Sequence, residues 1–264
     1  MQRVSSVRGR SVRHVTDAPV TATPTPAVPA PLAAAAAALV EAVRTGLAQL
    51  GDPVAAAAMQ RYMKSEMPFH GVPAPARETL LRRLVDEHPL DGSGPGGGEV
   101  GAAADALWDG ATRREERYLA SGLVGHRRYA RLVDVSWVPR LRHWIVTGAW
   151  WDHVDEIASR RVGALLRAHP AELTPVVRAW STDPDPWLRR TSIICQLQAK
   201  GDTDLDLLTD AIEASIDDRD FFLRKGIGWA LRQHARTDPG WVRAFVDAHP
   251  QLSPLSRREA LKRL

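Results

Sequence analysis

The chain has 264 residues, of which 44% are hydrophobic and 25% are charged, and its formal net charge is +4. This is an ordinary composition for a globular protein, and no apolar run reaches the length that spans a membrane. The single cysteine, Cys195, excludes an internal disulfide and a cysteine-rich metal site. We therefore expect an intracellular, cytoplasmic protein that does not enter a membrane.

Residues 1–31 differ from the rest of the chain. They contain four arginines against one aspartate, so they carry three of the four net positive charges, and five prolines follow between Pro19 and Pro31. Repeated prolines prevent a continuous helix, and the segment has too few large apolar residues to offset the entropy of ordering it. We predict a disordered Arg/Pro-rich tail, with an organellar targeting peptide as the alternative. The remainder, 32–264, is close to neutral, so bulk charge gives no argument for binding nucleic acid.

From Leu32 onward, apolar residues recur at helical spacing and Gly, Pro or Asp clusters separate the segments. No segment alternates every two residues or is enriched in β-branched residues, so the fold class should be all-α. A glycine-rich stretch at 91–101 should form a flexible, exposed loop. The predicted helices cover about 32–50, 53–64, a segment through Leu80 and Val85, 102–109, 113–130, 136–147, 151–168, 171–182, 185–200, 203–216, 219–236, 239–248 and 253–263.

Similar helix starts return along the chain at a spacing of about 35 residues. Tyr118, Trp187 and Phe222 are each followed by leucine at the start of a helix. A repeated pair of helices is typical of an α-solenoid, in which stacked pairs share a core and the second helices line a concave face. Equivalent positions in neighbouring repeats then become neighbours in space.

The most informative segment is the helix that begins at Trp150. Trp151 and Asp155 are four residues apart and so share one helix face. A carboxylate and an indole face together stabilise a carbocation-like centre. The structural alternative is a core tryptophan and an aspartate that interacts with the helix dipole.

Two further helices should bring side chains to the same cleft, because Arg190 and Trp229 occupy equivalent positions in the following repeats. Arg190 would clamp a phosphate or, alternatively, orient Asp155 through a salt bridge. Trp229 lies among Gly226 and Gly228, which either admit a ligand or permit tight helix packing. Nearby Arg189, Arg224 and Lys225 are further candidate phosphate contacts.

Five ordered segments resemble the AlkD-type DNA alkylation repair family, a group of HEAT-like-repeat DNA glycosylases. The segments are Arg61–Lys64 with Pro68–Gly71, Trp150–Asp155, Trp187–Arg190, Phe221–Arg232 and Pro254–Ala260. The resemblance implies that Asp155 is the catalytic carboxylate, that Trp151 and Trp229 contact the sugar, and that Arg190 contacts the DNA backbone.

The same resemblance implies a monofunctional DNA-alkylpurine glycosylase of base excision repair, which hydrolyses the N-glycosidic bond of cationic N3- or N7-alkylated purines in double-stranded DNA. It implies no metal and no cofactor. We expect a monomer that associates with the nucleoid through DNA. Two alternatives remain open: a specialised glycosylase that removes bulky natural-product adducts for self-resistance, and a non-catalytic α-solenoid that binds DNA or protein.

Overall fold

The structure is a computed structural model that describes residues 32–262 and 264. The predicted disordered tail lies outside these residues. Throughout the described part the regular structure is helical, with no strand, which confirms the all-α class. The helices are α1 (Ala34–Gln49), α2 (Pro53–Met63), α3 (Ala74–Glu87), α4 (Gly98–Asp109), α5 (Arg114–Val124), α6 (Val138–Gly148), α7 (Trp151–Glu156), α8 (Gly163–Ala168), α9 (Pro170–Trp180), α10 (Pro186–Ile194), α11 (Leu205–Glu213), α12 (Phe221–His234), α13 (Pro239–Ala248) and α14 (Pro254–Ala260).

Aspartates start several of these helices. The side chains of Asp52, Asp185, Asp204, Asp220 and Asp238 each accept hydrogen bonds from backbone amides of the first turn. A proline follows at the first helical position of three of them, where its missing N–H costs nothing. The predicted breaks at Asp-Pro pairs are therefore cap sites, whereas the break at Asp217 and Asp218 is followed by the cap residue Asp220.

The helices form pairs that stack into two rows, as the predicted solenoid requires. We call the row that contains α3, α5, α7, α10, α12 and α14 the front row, because it carries the predicted site residues. The back row contains α1, α4, α6, α9, α11 and α13. No helix of the described part is both long and apolar enough to cross a bilayer.

The core between the rows consists of two clusters of buried side chains. The first extends from α1 to Leu207 at the start of α11 and includes the stacked pair Trp108 and Trp144, whose ring centroids are 4.9 Å apart. The second contains Ala158 and otherwise extends from α10 to α14, around Ile193, Leu231 and Val246. The two clusters meet at α10, which therefore supports the site residues from both sides.

Three local predictions were wrong. The helix predicted over 113–130 ends at Val124, with Gly125 as its C-cap, and the helix predicted over 185–200 ends at Ile194. The glycine-rich loop is not simply exposed: a helical turn at Pro95–Gly97 leads into α4, Gly97 is buried against Trp137, and Arg140 donates to the carbonyl of Gly96 (2.8 Å). Glycine at 94 and 96–98 allows the positive φ angles of this packed turn.

A buried carboxylate holds the turn between α2 and α3. The carboxylate of Glu115, on α5, accepts hydrogen bonds from the backbone amides of His70, Gly71 and Val72 at 2.9–3.1 Å. Gly71 has a φ of 85°, and a side chain there would overlap the carbonyl of Asp52 at the start of α2. The Pro68–Gly71 segment therefore positions α2 relative to the front row.

Candidate active site

The helix predicted over 151–168 is present, but it is not regular. Between α7 and α8, residues Ile157–Val162 form a π-helical segment with one extra residue in the turn. Arg161 accordingly forms a salt bridge with Glu156, five positions before it, at 2.7 Å. Such segments are frequent at functional sites, and this one follows Asp155 directly.

Asp155 and Arg190 form a bidentate salt bridge between α7 and α10. The Nε of Arg190 donates to Oδ1 of Asp155 at 2.7 Å, and Nη2 donates to Oδ2 at 2.8 Å. The third nitrogen, Nη1, donates to the carbonyl of Phe222 at the start of α12. Arg190 is only 3% exposed, so its position is that of the salt-bridge partner considered above rather than of a free phosphate clamp.

Burial raises the pKa of the Asp155 carboxyl above its ordinary value, and the hydrogen bonds and charge of Arg190 oppose this rise. The side chain of Asp155 retains 16% exposure, so one edge of the carboxylate can meet a ligand. A partly dehydrated carboxylate in a fixed orientation interacts strongly with a positive charge placed beside it.

The two predicted tryptophans lie on different helices of the front row, one on the helix of Asp155 and one on α12. Trp151 is half-buried and lies one helical turn before it on α7. Trp229 is half-buried on α12, one turn after Gly226, where a side chain would touch Nη1 of Arg190. Gly228 packs tightly against α14, so this glycine permits close helix packing and does not open a space for a ligand.

The other predicted phosphate contacts also have partners within the protein. Arg189 forms a salt bridge with Asp218 (3.1 Å), and Arg224 donates to the carbonyl of Asp218 (2.9 Å). Lys225 lies 2.9 Å from Glu259, which also binds Arg232. Lys225 retains 40% side-chain exposure, so of these residues it is the one with most access to a ligand.

An aromatic cluster borders the Asp155–Arg190 pair at the N-terminal ends of α7, α10 and α12. The ring centroids of Trp150, Trp187 and Phe222 lie 5.0–6.2 Å apart. Phe221 contacts the ring of Phe222 and is 58% exposed. The cluster gives the edge of the candidate site an apolar, partly exposed surface.

Sequence reasoning missed a second buried network on α7. The guanidinium of Arg114 binds both oxygens of Asp152, and the hydroxyl of Tyr118 donates to the same carboxylate. These contacts lower the pKa of Asp152 against the opposing effect of burial. Burial lowers the pKa of the neighbouring His153 to about 3, so this imidazole is neutral. The only sequence feature that indicated a second polar network was the position of Asp152, three residues before Asp155 on an adjoining helix face.

Within the described residues, no cluster of three or more His, Cys, Asp or Glu side chains has the arrangement of a metal site. Cys195 is fully buried, and burial raises its pKa to about 12, so it is a core residue as expected of a small buried thiol.

Comparison with known proteins identifies the family of this chain. Residues 43–264 match the family described as DNA alkylation repair enzyme. A solved structure from Enterococcus faecalis, described as a predicted DNA alkylation repair enzyme, is 32% identical, with a TM-score of 0.72 over 81% of this chain and 96% of that chain. A search of curated proteins found no match.

Proposed function

Because the chain belongs to the family of DNA alkylation repair enzymes, we propose that it is a DNA glycosylase that releases cationic N3- or N7-alkylated purines from double-stranded DNA. The observation that supports this proposal is the bidentate Asp155–Arg190 pair on the front row. It presents one oriented, partly buried carboxylate in the cleft between α7 and α10. Alkylated DNA is the substrate, and the proposed reaction is hydrolysis of an N-glycosidic bond.

In the proposed reaction the bond between C1′ of the deoxyribose and the purine nitrogen breaks, and its electron pair leaves with the base. An alkylated purine already carries a positive charge, so it leaves as a neutral molecule without a general acid. The sugar becomes an oxocarbenium ion. The negative charge of Asp155 stabilises this ion, since both charges meet in a partly dehydrated cleft.

Water then completes the reaction. The free edge of the Asp155 carboxylate accepts a hydrogen bond from a water molecule and directs its oxygen to C1′. The proton lost from this water passes to the carboxylate and then to solvent. Trp151 and Trp229 would pack against the sugar and limit access of bulk water. Arg190 keeps the carboxylate in the required orientation.

The test is release of free 7-methylguanine and 3-methyladenine from methylated duplex DNA. We expect the wild type to release both and Asp155→Asn, which keeps the shape but removes the charge, to lose at least about 99% of the rate, the scale on which a single electrostatic group contributes. Asp218→Asn is the matched control, because it breaks another Arg–Asp pair of the same row. Equal rates in wild type and Asp155→Asn would refute the proposed role of Asp155.

A second substrate class deserves a test because of the aromatic cluster. Phe221 and its neighbours place an exposed apolar surface beside the site, which suits an adduct with a large apolar body. If the wild type releases no methylated base, duplexes with bulky cationic purine adducts should be assayed next. Failure with both substrates would favour the non-catalytic, DNA-binding solenoid.

A further inference from the structure

A second cavity lies on the front row, in the groove between α3, α5 and the α7–α8 helix. Its volume is about 400 Å³, which is in the range of small-ligand sites. It is distinct from the cleft of Asp155 and Arg190, which lies between α7 and α10. The polar residues that line it are Arg77, Tyr118, Ser121, Asp152, His153, Glu156 and Arg161, with Glu78 and Arg160 at its exposed edge.

Of the three carboxylates that line this cavity, the two less exposed ones, Asp152 and Glu156, are already neutralised, and the third, Glu78, is exposed. Both oxygens of Asp152 accept hydrogen bonds, from Arg114 and Tyr118. Both oxygens of Glu156 do the same, from Arg161 and from the hydroxyl of Ser121. The carboxylate oxygens of Asp152 and Glu156 therefore already have hydrogen-bond donors within the protein.

The donors, in contrast, are in excess. The Nε of Arg161 is a buried donor with no hydrogen-bond partner. His153 is 3% exposed and its Nε2 is also unpaired; in the tautomer with the proton on Nε2, this nitrogen is a second free donor. Arg77 uses only Nη1, which donates to the carbonyl of Val72 (2.9 Å), while its guanidinium lies over the ring of Tyr118. Buried donors without partners cost free energy, so a ligand that brings acceptor oxygens would be stabilised here.

The arginines of the cavity supply matching donors. Asp152 is paired with Arg114 and Glu156 with Arg161, so Arg77 and Arg160 remain. Arg77 faces the exposed carboxylate of Glu78 and the buried carboxylate of Glu115, whose oxygens already accept three backbone N–H groups. Arginine presents several donors in a planar fork that matches the oxygens of a phosphate. From the surplus of donors and the exposed Arg160, we propose that this cavity binds a phosphate group.

The position of the cavity connects it to the front-row surface. Neighbouring packed helices are about 8–10 Å apart, and successive phosphates of one DNA strand advance by about 3.4 Å along the duplex axis. A strand that meets Asp155 can therefore place a phosphate in this cavity within a few nucleotides. A free phosphate monoester supplies the same oxygens, so the experiment must separate the two sources.

The first arm of the experiment measures binding of inorganic phosphate by calorimetry, at constant ionic strength. Two variants test the cavity: Arg160→Ala at its exposed edge, and His153→Phe, which keeps the ring packed against Trp108 and Tyr118 but removes both nitrogens. Arg243→Ala is the control, since Arg243 is an exposed arginine on the back-row helix α13. Melting temperatures confirm that each variant is folded.

The second arm measures the affinity of the same proteins for an undamaged duplex at several salt concentrations. If the ligand is a DNA phosphate, Arg160→Ala and His153→Phe each weaken the duplex complex by about tenfold, the value of one charge-assisted hydrogen bond. Arg160→Ala also reduces the salt slope by about one, and inorganic phosphate competes with the duplex. Base release is not measured, so the result is independent of the proposed glycosylase activity.

Each other outcome is also decisive. Phosphate binding that both cavity variants abolish, with duplex affinity unchanged, supports the cavity and assigns it a free phosphate. Weaker duplex binding in Arg160→Ala alone, with no binding of inorganic phosphate, makes Arg160 a surface contact and overturns the proposal. The proposal is also overturned if both cavity variants behave like Arg243→Ala in both arms.

Discussion

At the scale of the residue, Arg190 determines how Asp155 can act. Two hydrogen bonds fix both carboxylate oxygens in place before any ligand binds, so little ordering remains to be done during the reaction. Burial raises the pKa of Asp155, and the positive charge of Arg190 limits that rise. The proposed reaction needs the ionised carboxylate, so activity should fall as pH drops through this pKa.

Arg190→Gln should move the acidic limb of base release to higher pH. The substitution removes an opposite charge that lowers the pKa of Asp155, and such a charge shifts a carboxyl pKa by about 1–3 units. The measurement is the single-turnover rate of 7-methylguanine release from pH 5 to 9. Arg190→Lys, which keeps the charge, should leave the limb closer to that of the wild type.

Arg189→Gln is the control for this profile, because Arg189 pairs with Asp218 and not with Asp155. The acidic limb of its pH profile should lie at the same pH as that of the wild type. An Arg190→Gln profile with an unmoved limb would show that Arg190 does not set the pKa of Asp155.

The sequence made Asp155 a candidate, because it shares a helix face with Trp151 and lies in a segment that resembles the family; its catalytic role stays a prediction. The sequence could not show which arginines of a front-row helix form salt bridges within the protein. Arg190 is buried whereas the adjacent Arg189 is half-buried, and this difference depends on how α10 is rotated against α7 and α12. Arg114 and Asp152 are 38 residues apart, so their pairing was equally invisible.

At the scale of the element, close helix packing explains the glycines of α12. A side chain at Gly228 would lie 2.6 Å from Cβ of Glu259 and 2.9 Å from the carbonyl of Ser256. The backbones of α12 and α14 can therefore approach each other only with glycine at this position. That approach also brings Glu259 to Lys225 and Arg232.

Gly228→Ala should lower the free energy of unfolding by about 1–3 kcal/mol, since an added methyl group in a packed contact forces the neighbours to move. Urea denaturation followed by circular dichroism measures this change. Gly201→Ala is the matched control, because a side chain there meets nothing within 4 Å. Equal midpoints for the two variants would contradict the packing role of Gly228.

At the scale of the whole molecule, the two core clusters meet at α10. In a stacked-repeat protein each repeat is stabilised mainly by its neighbours, so damage in one place remains largely local. Helix periodicity and cap residues were enough to predict the fold class and the repeat. The partition of the core was not predictable, because it depends on contacts between helices distant in sequence.

Hydrogen exchange should reveal this partition in Gly228→Ala. We expect faster amide exchange in α12–α14, whose buried apolar residues belong to the second cluster, and unchanged exchange in α3–α5. Mass spectrometry of peptic fragments under native conditions measures both regions at once. A uniform increase over the whole chain would show that the two clusters unfold as one cooperative unit.

The π-helical segment after Asp155 has a genetic consequence. Deletion of one codon within 157–160 would remove the extra residue, restore a regular helix and leave both Asp155 and α8 in their present orientation. Arg161 would then be the fourth residue after Glu156, a spacing at which helix side chains are also neighbours. Deletion of one codon within α8 would instead rotate everything beyond it by about 100°, the angle between successive residues of an α-helix, and turn residues away from α9. The helix should therefore tolerate the loss of one codon in the π-helical segment far better than the same loss in α8.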